Sequence, residues 1–386
     1  MFNLAYESFA KHGDSFFLEE KRGVLIVSKA LLENEREEIQ KKRQFLYEQR
    51  QKVLEAAKQN VLNDINPQDF ERHKELEATK EELSPLITQL QTPDSFSLTQ
   101  DFPNEAILLT EKTTVTLSNI EISVKLFLVL LGKARVTVGE RFSITKHARN
   151  EDCIGEHDMT RTPFGLARYE AVSSLALENI EGIPKNSIGC YLKEVSLYNT
   201  GLINILPKLR IHEDSEVECF WVTADEKEHV STLLEQEKMF CVGRVKIVNL
   251  SEYAVSVITK MRIHEDSVVE SLTLVASRKK HVAAVLEQDK TFFVRRVKRV
   301  KLYNYAVRVI TKMRIHEDNT MEDFVLAADK KHFPRTLEEG DSSIELGRIR
   351  RSGFYVPREI RRKLRYTLVD GEGKEERFFR RILCIE

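Results

Sequence analysis

Tryptophan is nearly absent from this chain: Trp221 is the only one in 386 residues. Glycine and proline are sparse, 15 and 9, which excludes collagen-like and low-complexity classes. The five cysteines, Cys153, Cys190, Cys219, Cys241 and Cys384, are odd in number and form no C-x-x-C pair. That spacing offers neither a disulfide framework nor a zinc knuckle, so a reducing compartment is expected. Cys384 stands one place wrong for a prenylation box. The longest apolar run, Leu126 to Leu131, is too short to span a bilayer. Glu7, Asp14, Glu19 and Glu20 interrupt any signal-peptide layout at the start. The expected location is therefore cytoplasmic, with the nucleus and unconventional export left open. Nucleotide-binding, nucleophile-elbow and zincin motifs are all missing, so no catalytic, cofactor-binding or metal-ligating residues are assigned.

Net charge is also nearly missing, at −1, but the charges are unevenly placed. Residues 1–250 hold 31 Lys/Arg against 40 Asp/Glu, and residues 251–386 hold 29 against 21. Such polarity can steer a partner toward one end of a molecule.

What is present is repetition. Arg-Ile-His-Glu-Asp begins at Arg210, Arg262 and Arg314, at intervals of 52 residues. Residues 254–266 and 306–318 agree at all but one position. A fixed period means one supersecondary unit copied and stacked. Short runs with apolar residues at i, i+3 and i+5 precede each pentapeptide: Leu192/Val195/Leu197, Val245/Val248/Leu250 and Val297/Val300/Leu302. Matching runs follow it: Val217/Phe220/Val222, Val269/Leu272/Leu274 and Met321/Phe324/Leu326. Positions i+3 and i+5 share one face of a strand. Ala306, Val309, Ile310 and Met313 then carry helical spacing. The 52-residue unit thus reads as two strand–helix half-units.

Leu192-Lys-Glu-Val-Ser-Leu-Tyr-Asn199 and Val297-Lys-Arg-Val-Lys-Leu-Tyr-Asn304 resemble the leucine-rich repeat, and the alternating half-unit length is similar to its ribonuclease-inhibitor type. The resemblance implies an α/β, right-handed solenoid with strands lining a concave face. The expected array covers residues 105–355, with its clearest part at 172–354 and an irregular insertion at 139–170. Leu175–Ile180, Val115–Ile120, Val136–Val138 and 349–354 read as outlying repeat strands. The half-units at Val217, Val269 and Met321 depart from the family by carrying Ala or Ser where Asn is usual.

Residues 1–104 form a separate N-terminal region with a helical hairpin over about 27–91. Leu32, Ile39, Leu46 and Val53 recur every seven residues, and Asn66-Pro67 supplies a helix stop and restart. The hairpin is either a coiled-coil arm or a cap on the first repeat; Glu35, Lys42, Gln49 and Ala56 make a poor second seam. Residues 356–386 form a basic cap, with Tyr366–Val369, the turn at Asp370 and Ile382–Ile385 reading as a β-hairpin.

Two surfaces are candidates for function. Trp221, Lys246, Asn249, Thr273, Lys298 and Lys301 alternate with core positions, so they are expected to face a protein partner. Arg295, Arg296, Arg299, Arg348, Arg350, Arg351, Arg361, Arg362, Lys363 and Arg365 form a basic stretch with aromatic neighbours, suited to RNA or another polyanion. No membrane partner is expected, and the oligomeric state is open. His212, His264 and His316 lie beside Glu-Asp pairs and could in principle bind metal or carry protons. Repetition explains them better as a structural turn. His229, His281 and His332 form a second repeated set, expected at the surface or half-buried.

Overall fold

A computed structural model describes residues 8–29, 31, 91–102, 105–146, 151–157, 162–212, 214–288, 291–294, 296–316, 318–333 and 344–374. The chain divides into two compact units: Met1–Gly139 with His147–Met159, and Glu140–Lys146 with Thr160–Glu386.

In the first unit, strands Ala10–His12, Ser15–Glu20, Gly23–Ser28 and Ile107–Thr110 form an antiparallel sheet. Phe17, Val24, Ile26 and Leu109 are among its buried residues. Strands Ser95–Ser97, Thr114–Leu117 and Arg135–Val138 pair in parallel. The apolar run Leu126–Leu131 lies in helix α1 (Val124–Lys133), whose first turn is capped by the Ser123 hydroxyl accepting from the Leu126 N–H. Its Leu126, Phe127, Leu130 and Leu131 are buried, so the run is a core face. Among the described residues no helix is long and apolar enough to cross a membrane.

The second unit is built on one eight-stranded parallel sheet in sequential order. Its strands are β1 (Phe164–Arg168), β2 (Leu192–Tyr198), β3 (Glu216–Ala224), β4 (Arg244–Glu252), β5 (Val268–Ala276), β6 (Arg296–Asn304), β7 (Asp323–Ala327) and β8 (Phe354–Tyr355). The register stacks Val195, Phe220, Val248, Leu272, Val300, Phe324 and Phe354 in one buried row. Leu197, Val222, Leu250, Leu274, Leu302 and Leu326 form the next. Every apolar position singled out by the i+3, i+5 pattern is thus a core position, because burial of one sheet face selects that register.

The leucine-rich-repeat solenoid is not what forms. A strand–α-helix alternation would put an α-helix after each strand. Instead, 3-10 segments follow β2, β4 and β6, at Gly201–Lys208, Tyr253–Lys260 and Tyr305–Lys312. Among the described residues of this unit the α-helices are few: α2 (Ser174–Gly182), α3 (Glu228–Leu234), the single turn α4 (Ala283–Leu286) and Arg358–Arg361. The physical reason is legible in Ala306, Val309 and Val307, Ile310, Met313. These buried residues recur every three positions, the 3-10 period. Their β-branched side chains also lose rotamer freedom in an α-helix.

The chain then enters a second short strand rather than a loop. Leu209–Ile211, Met261–Arg262 and Met313–Ile315 pair in parallel with Ile188–Cys190, Phe240–Cys241 and Phe292–Val294. Each pentapeptide therefore starts in a strand that directly follows a 3-10 segment.

Other expectations also change. Leu175–Ile180 is in helix α2, held by the Ser173 cap, and is not a strand. Val115–Ile120 divides between two strands, Thr114–Leu117 and Ile120–Ser123, broken by Asn119 at φ 54°. The stretch 139–170 contains β1 and strand Phe142–Thr145, so part of it belongs to the sheets. Residues 349–354 are not one strand: Ile349 ends strand Ile344–Arg350, a 3-10 turn intervenes, and Phe354 opens β8. Tyr366–Val369 lies in strand Leu364–Val369, which pairs in parallel with Ile344–Arg350. Its supposed hairpin partner at 382–385 lies outside the described residues. So does the helical hairpin, apart from the few described residues at its two ends, and with it the coiled-coil question.

The repeated lysine before each pentapeptide acts as a staple. Lys208 Nζ donates to the carbonyls of Glu181 (3.0 Å) and Ile183, at the end of α2. Lys260 and Lys312 donate to the Gln236 and Gln288 carbonyls, just beyond α3 and α4. Carbonyls at a helix end lack intrahelical partners. One ammonium per double unit thus ties a helix end to the next chain pass, which accounts for the repeat at this position.

Candidate interaction face

The outer face of the eight-stranded sheet gathers most of the residues expected to meet a partner. Register pairs Ser196 with Trp221, Trp221 with Asn249, Asn249 with Thr273, and Thr273 with Lys301. Val325 and Tyr355 continue this row across β7 and β8. Four of the six expected residues therefore stand side by side on consecutive strands. With the Asn249 amide oriented to satisfy both its groups, its oxygen accepts from Trp221 Nε1 at 2.8 Å. Its nitrogen then donates to Thr273 Oγ1 at 3.2 Å. Trp221 nonetheless remains 48% exposed. Tyr198, on the neighbouring strand, is likewise 48% exposed, and Tyr355 is 61% exposed. Large aromatics held rigidly but left in solvent are the residues that anchor interfaces.

Lys246 and Lys298 belong to a different row, in which charge alternates strand by strand. In order it runs Lys193, Glu218, Lys246, Glu270, Lys298, Glu322, Arg350. Lys193 lies 3.7 Å from Glu218, and Arg350 3.8 Å from Glu322. Lys246 turns instead to Glu216 at 3.1 Å, whose carboxylate raises the lysine pKa by hydrogen bonding. Opposite charges on adjacent strands favour this pairing and disfavour a slip by one half-unit, which would set like charges together.

The basic stretch is less of a cluster than its composition implies. Arg299 is half-buried and donates from Nε to the Glu270 carbonyl at 3.2 Å. Arg350 is paired with Glu322. Arg361 lies 5.3 Å from the Phe354 ring centroid and donates to the Val356 carbonyl at 2.8 Å. Arg296, Arg348, Arg351, Arg362 and Arg365 are exposed and Lys363 is half-buried. Arg295 lies outside the described residues.

The histidine–carboxylate motif forms a turn. His212, His264 and His316 each accept through Nδ1 from the N–H of Asp214, Asp266 and Asp318, at 3.2, 3.3 and 3.2 Å. The same histidines' carbonyls accept from Ser215, Ser267 and Asn319. No group of three or more metal-capable side chains occurs among the described residues.

Two of the second histidine set are more buried than expected, while His229 is half-buried as expected. His281 and His332 are 4% and 6% exposed. Each faces a tyrosine ring, Tyr253 or Tyr305, at 4.6 Å between centroids. His281 Nδ1 also meets the Glu252 carboxylate. Glu252 sits at φ 60°, a conformation costly for a side-chain-bearing residue. Its carboxylate accepts from Ser277 N and Oγ at 3.1 and 2.8 Å, which helps hold it there. Burial pushes the His281 imidazole below its ordinary range; Glu252 opposes this, and Lys280 and Arg278 reinforce it.

The folded protein therefore takes up a proton at His281 less readily than the unfolded chain. As pH falls below about 6.5 the unfolded state binds more protons, so stability falls with pH. The drop in urea midpoint between pH 7.5 and pH 5 should be smaller in His281→Gln than in the parent. Equal drops would remove His281 from the pH response.

Four cysteines among the described residues are free. Burial pushes the Cys190 thiol up to about 12 and the Cys153 thiol up as well, so neither is a ready nucleophile.

Comparison with family models, curated proteins and solved structures finds no match. The functional reading rests on the geometry of this chain.

Proposed function

We propose that this protein is a non-enzymatic binding protein that receives a protein partner on the outer face of its eight-stranded sheet. The observation that carries the reading is the row Ser196–Trp221–Asn249–Thr273–Lys301, with Trp221 exposed yet positioned by its neighbours. A preorganised aromatic anchor loses little freedom on binding. The flanking row of alternating charge favours a partner with complementary charges over a polyanion, since each basic step is followed by an acidic one.

The alternative is RNA or another polyanion held by exposed Arg348, Arg351, Arg362 and Arg365 near exposed Tyr355. Phosphate binding would show steep salt dependence. The test is capture from native lysate by the full chain and by Trp221→Ala, with and without nuclease, at low and high salt. Under the protein reading, a captured protein persists through nuclease and high salt. Trp221→Ala then weakens its measured affinity by about 30-fold or more, the range of a central aromatic anchor. RNA recovery, with partners lost on nuclease treatment and Trp221→Ala without effect, would overturn it.

A further inference from the structure

One difference among the three double units leaves a cavity. In the second and third, a tyrosine at the start of the 3-10 segment lies against the histidine of the next half-unit: Tyr253 on His281 and Tyr305 on His332. A cation covers each tyrosine ring, Lys280 Nζ or Arg308 Cζ, at 5.4 Å from the centroid. In the first double unit the histidine is kept, as His229, but Gly201 replaces the tyrosine. Glu228 stands where Lys280 does, and Asn204 where Arg308 does. The ring and the cation have been lost together.

What remains is an open cavity of about 260 Å³, lined among others by Leu177, Gly201, Asn204, Lys208, Glu228 and His229. A volume of about 150 Å³ is enough for a benzene ring. His229 Nδ1 is buried without a hydrogen-bond partner, and its Nε2 lies 3.8 Å from the Glu226 carboxylate. Lys208 is committed to the Glu181 and Ile183 carbonyls. The lining is largely apolar, and the exposed Glu181, Glu226 and Glu228 make its charged part mainly acidic.

We propose that this cavity binds an aryl-ammonium compound, one aromatic ring joined to a cationic amine. The ring enters the cavity beside His229 and packs on Leu177, whose side chain lies where a tyrosine at residue 201 would begin. The ammonium takes the place of the missing lysine or arginine and is held by Glu228 and its acidic neighbours. This site is separate from the sheet face and does not depend on the partner proposed for it.

The test is calorimetric titration of the full chain with tyramine, p-cresol and 4-hydroxyphenylacetate, which share the ring and differ in charge. Tyramine should bind saturably and at least about tenfold more tightly than the other two. Glu228→Lys, an exposed change that restores the charge of the second unit, should weaken tyramine about tenfold or more. Gly201→Tyr with Leu177→Ala should abolish binding by refilling the space. The second change is needed because a Cβ at residue 201 would fall 2.4 Å from Leu177 Cδ2. If the double variant does not fold, Glu228→Lys decides. A short peptide with an N-terminal tyrosine binding more tightly than tyramine would assign the ammonium to a polypeptide terminus. Absence of saturable binding, equal affinity for all three compounds, or indifference to Glu228→Lys would overturn the proposal.

Discussion

Phe324→Ala should lower the stability of the second unit by about 3–5 kcal/mol, the cost of deleting a fully buried aromatic and leaving a cavity. Phe324 is 0% exposed and occupies the central core row, paired in register with Val300 and Phe354. Its ring lies 6.4 Å from that of Phe354, which is in turn 4.3 Å from Tyr366. Removing Phe324 takes the support from both. β7 and β8 pair over only two residues, Phe324–Phe354 and Val325–Tyr355, so backbone bonding offers little compensation. Urea denaturation followed by circular dichroism measures the change. A loss below about 1 kcal/mol would mean that β8 does not dock as described, since even Ile→Val in a packed core costs about that much.

Asn319→Ala should be nearly as damaging, for a different reason. Asn319 is 7% exposed, accepts from the Val297 N–H at 3.0 Å and donates to the Val297 carbonyl at 2.9 Å. Alanine would leave two buried backbone groups unpaired, each costing about 1–3 kcal/mol. One double unit earlier, Ser267 does the same work. Its hydroxyl accepts from Val245 N at 3.1 Å and donates to Val245 O at 3.0 Å. Asn319→Ser should therefore recover much of what Asn319→Ala loses, although the shorter side chain must reach the same two groups. Denaturation midpoints of the two variants decide. If serine is as harmful as alanine, the loss comes from packing rather than hydrogen bonding.

Much of the core is legible in residue spacing alone. Val195, Phe220, Val248, Leu272, Val300 and Phe324 follow from it, because strand alternation forces i+3 and i+5 to one face. The interaction row is legible for the same reason: Trp221, Asn249, Thr273 and Lys301 sit between core positions. The hydrogen bonds that join Trp221, Asn249 and Thr273 are not, since they depend on strand order. The alternating Lys/Glu row is written in the sequence, yet Lys246 and Glu218 acquire their meaning only when their strands are adjacent.

The sequence by itself determined the 52-residue period, the residues that enter the core, and the turn at the end of each pentapeptide. These are local or periodic properties, set by side-chain polarity along the chain. Tertiary structure decided the rest. Whether Tyr305–Lys312 coils as 3-10 or α, and whether Leu175–Ile180 is strand or helix, depended on what each segment had to reach and cover. Whether a repeated histidine is buried depended on its neighbour. Tyr253 and Tyr305 cover His281 and His332, while Gly201 leaves His229 beside an open cavity. Those outcomes are contacts between residues about 28 positions apart, and packing alone chooses among them.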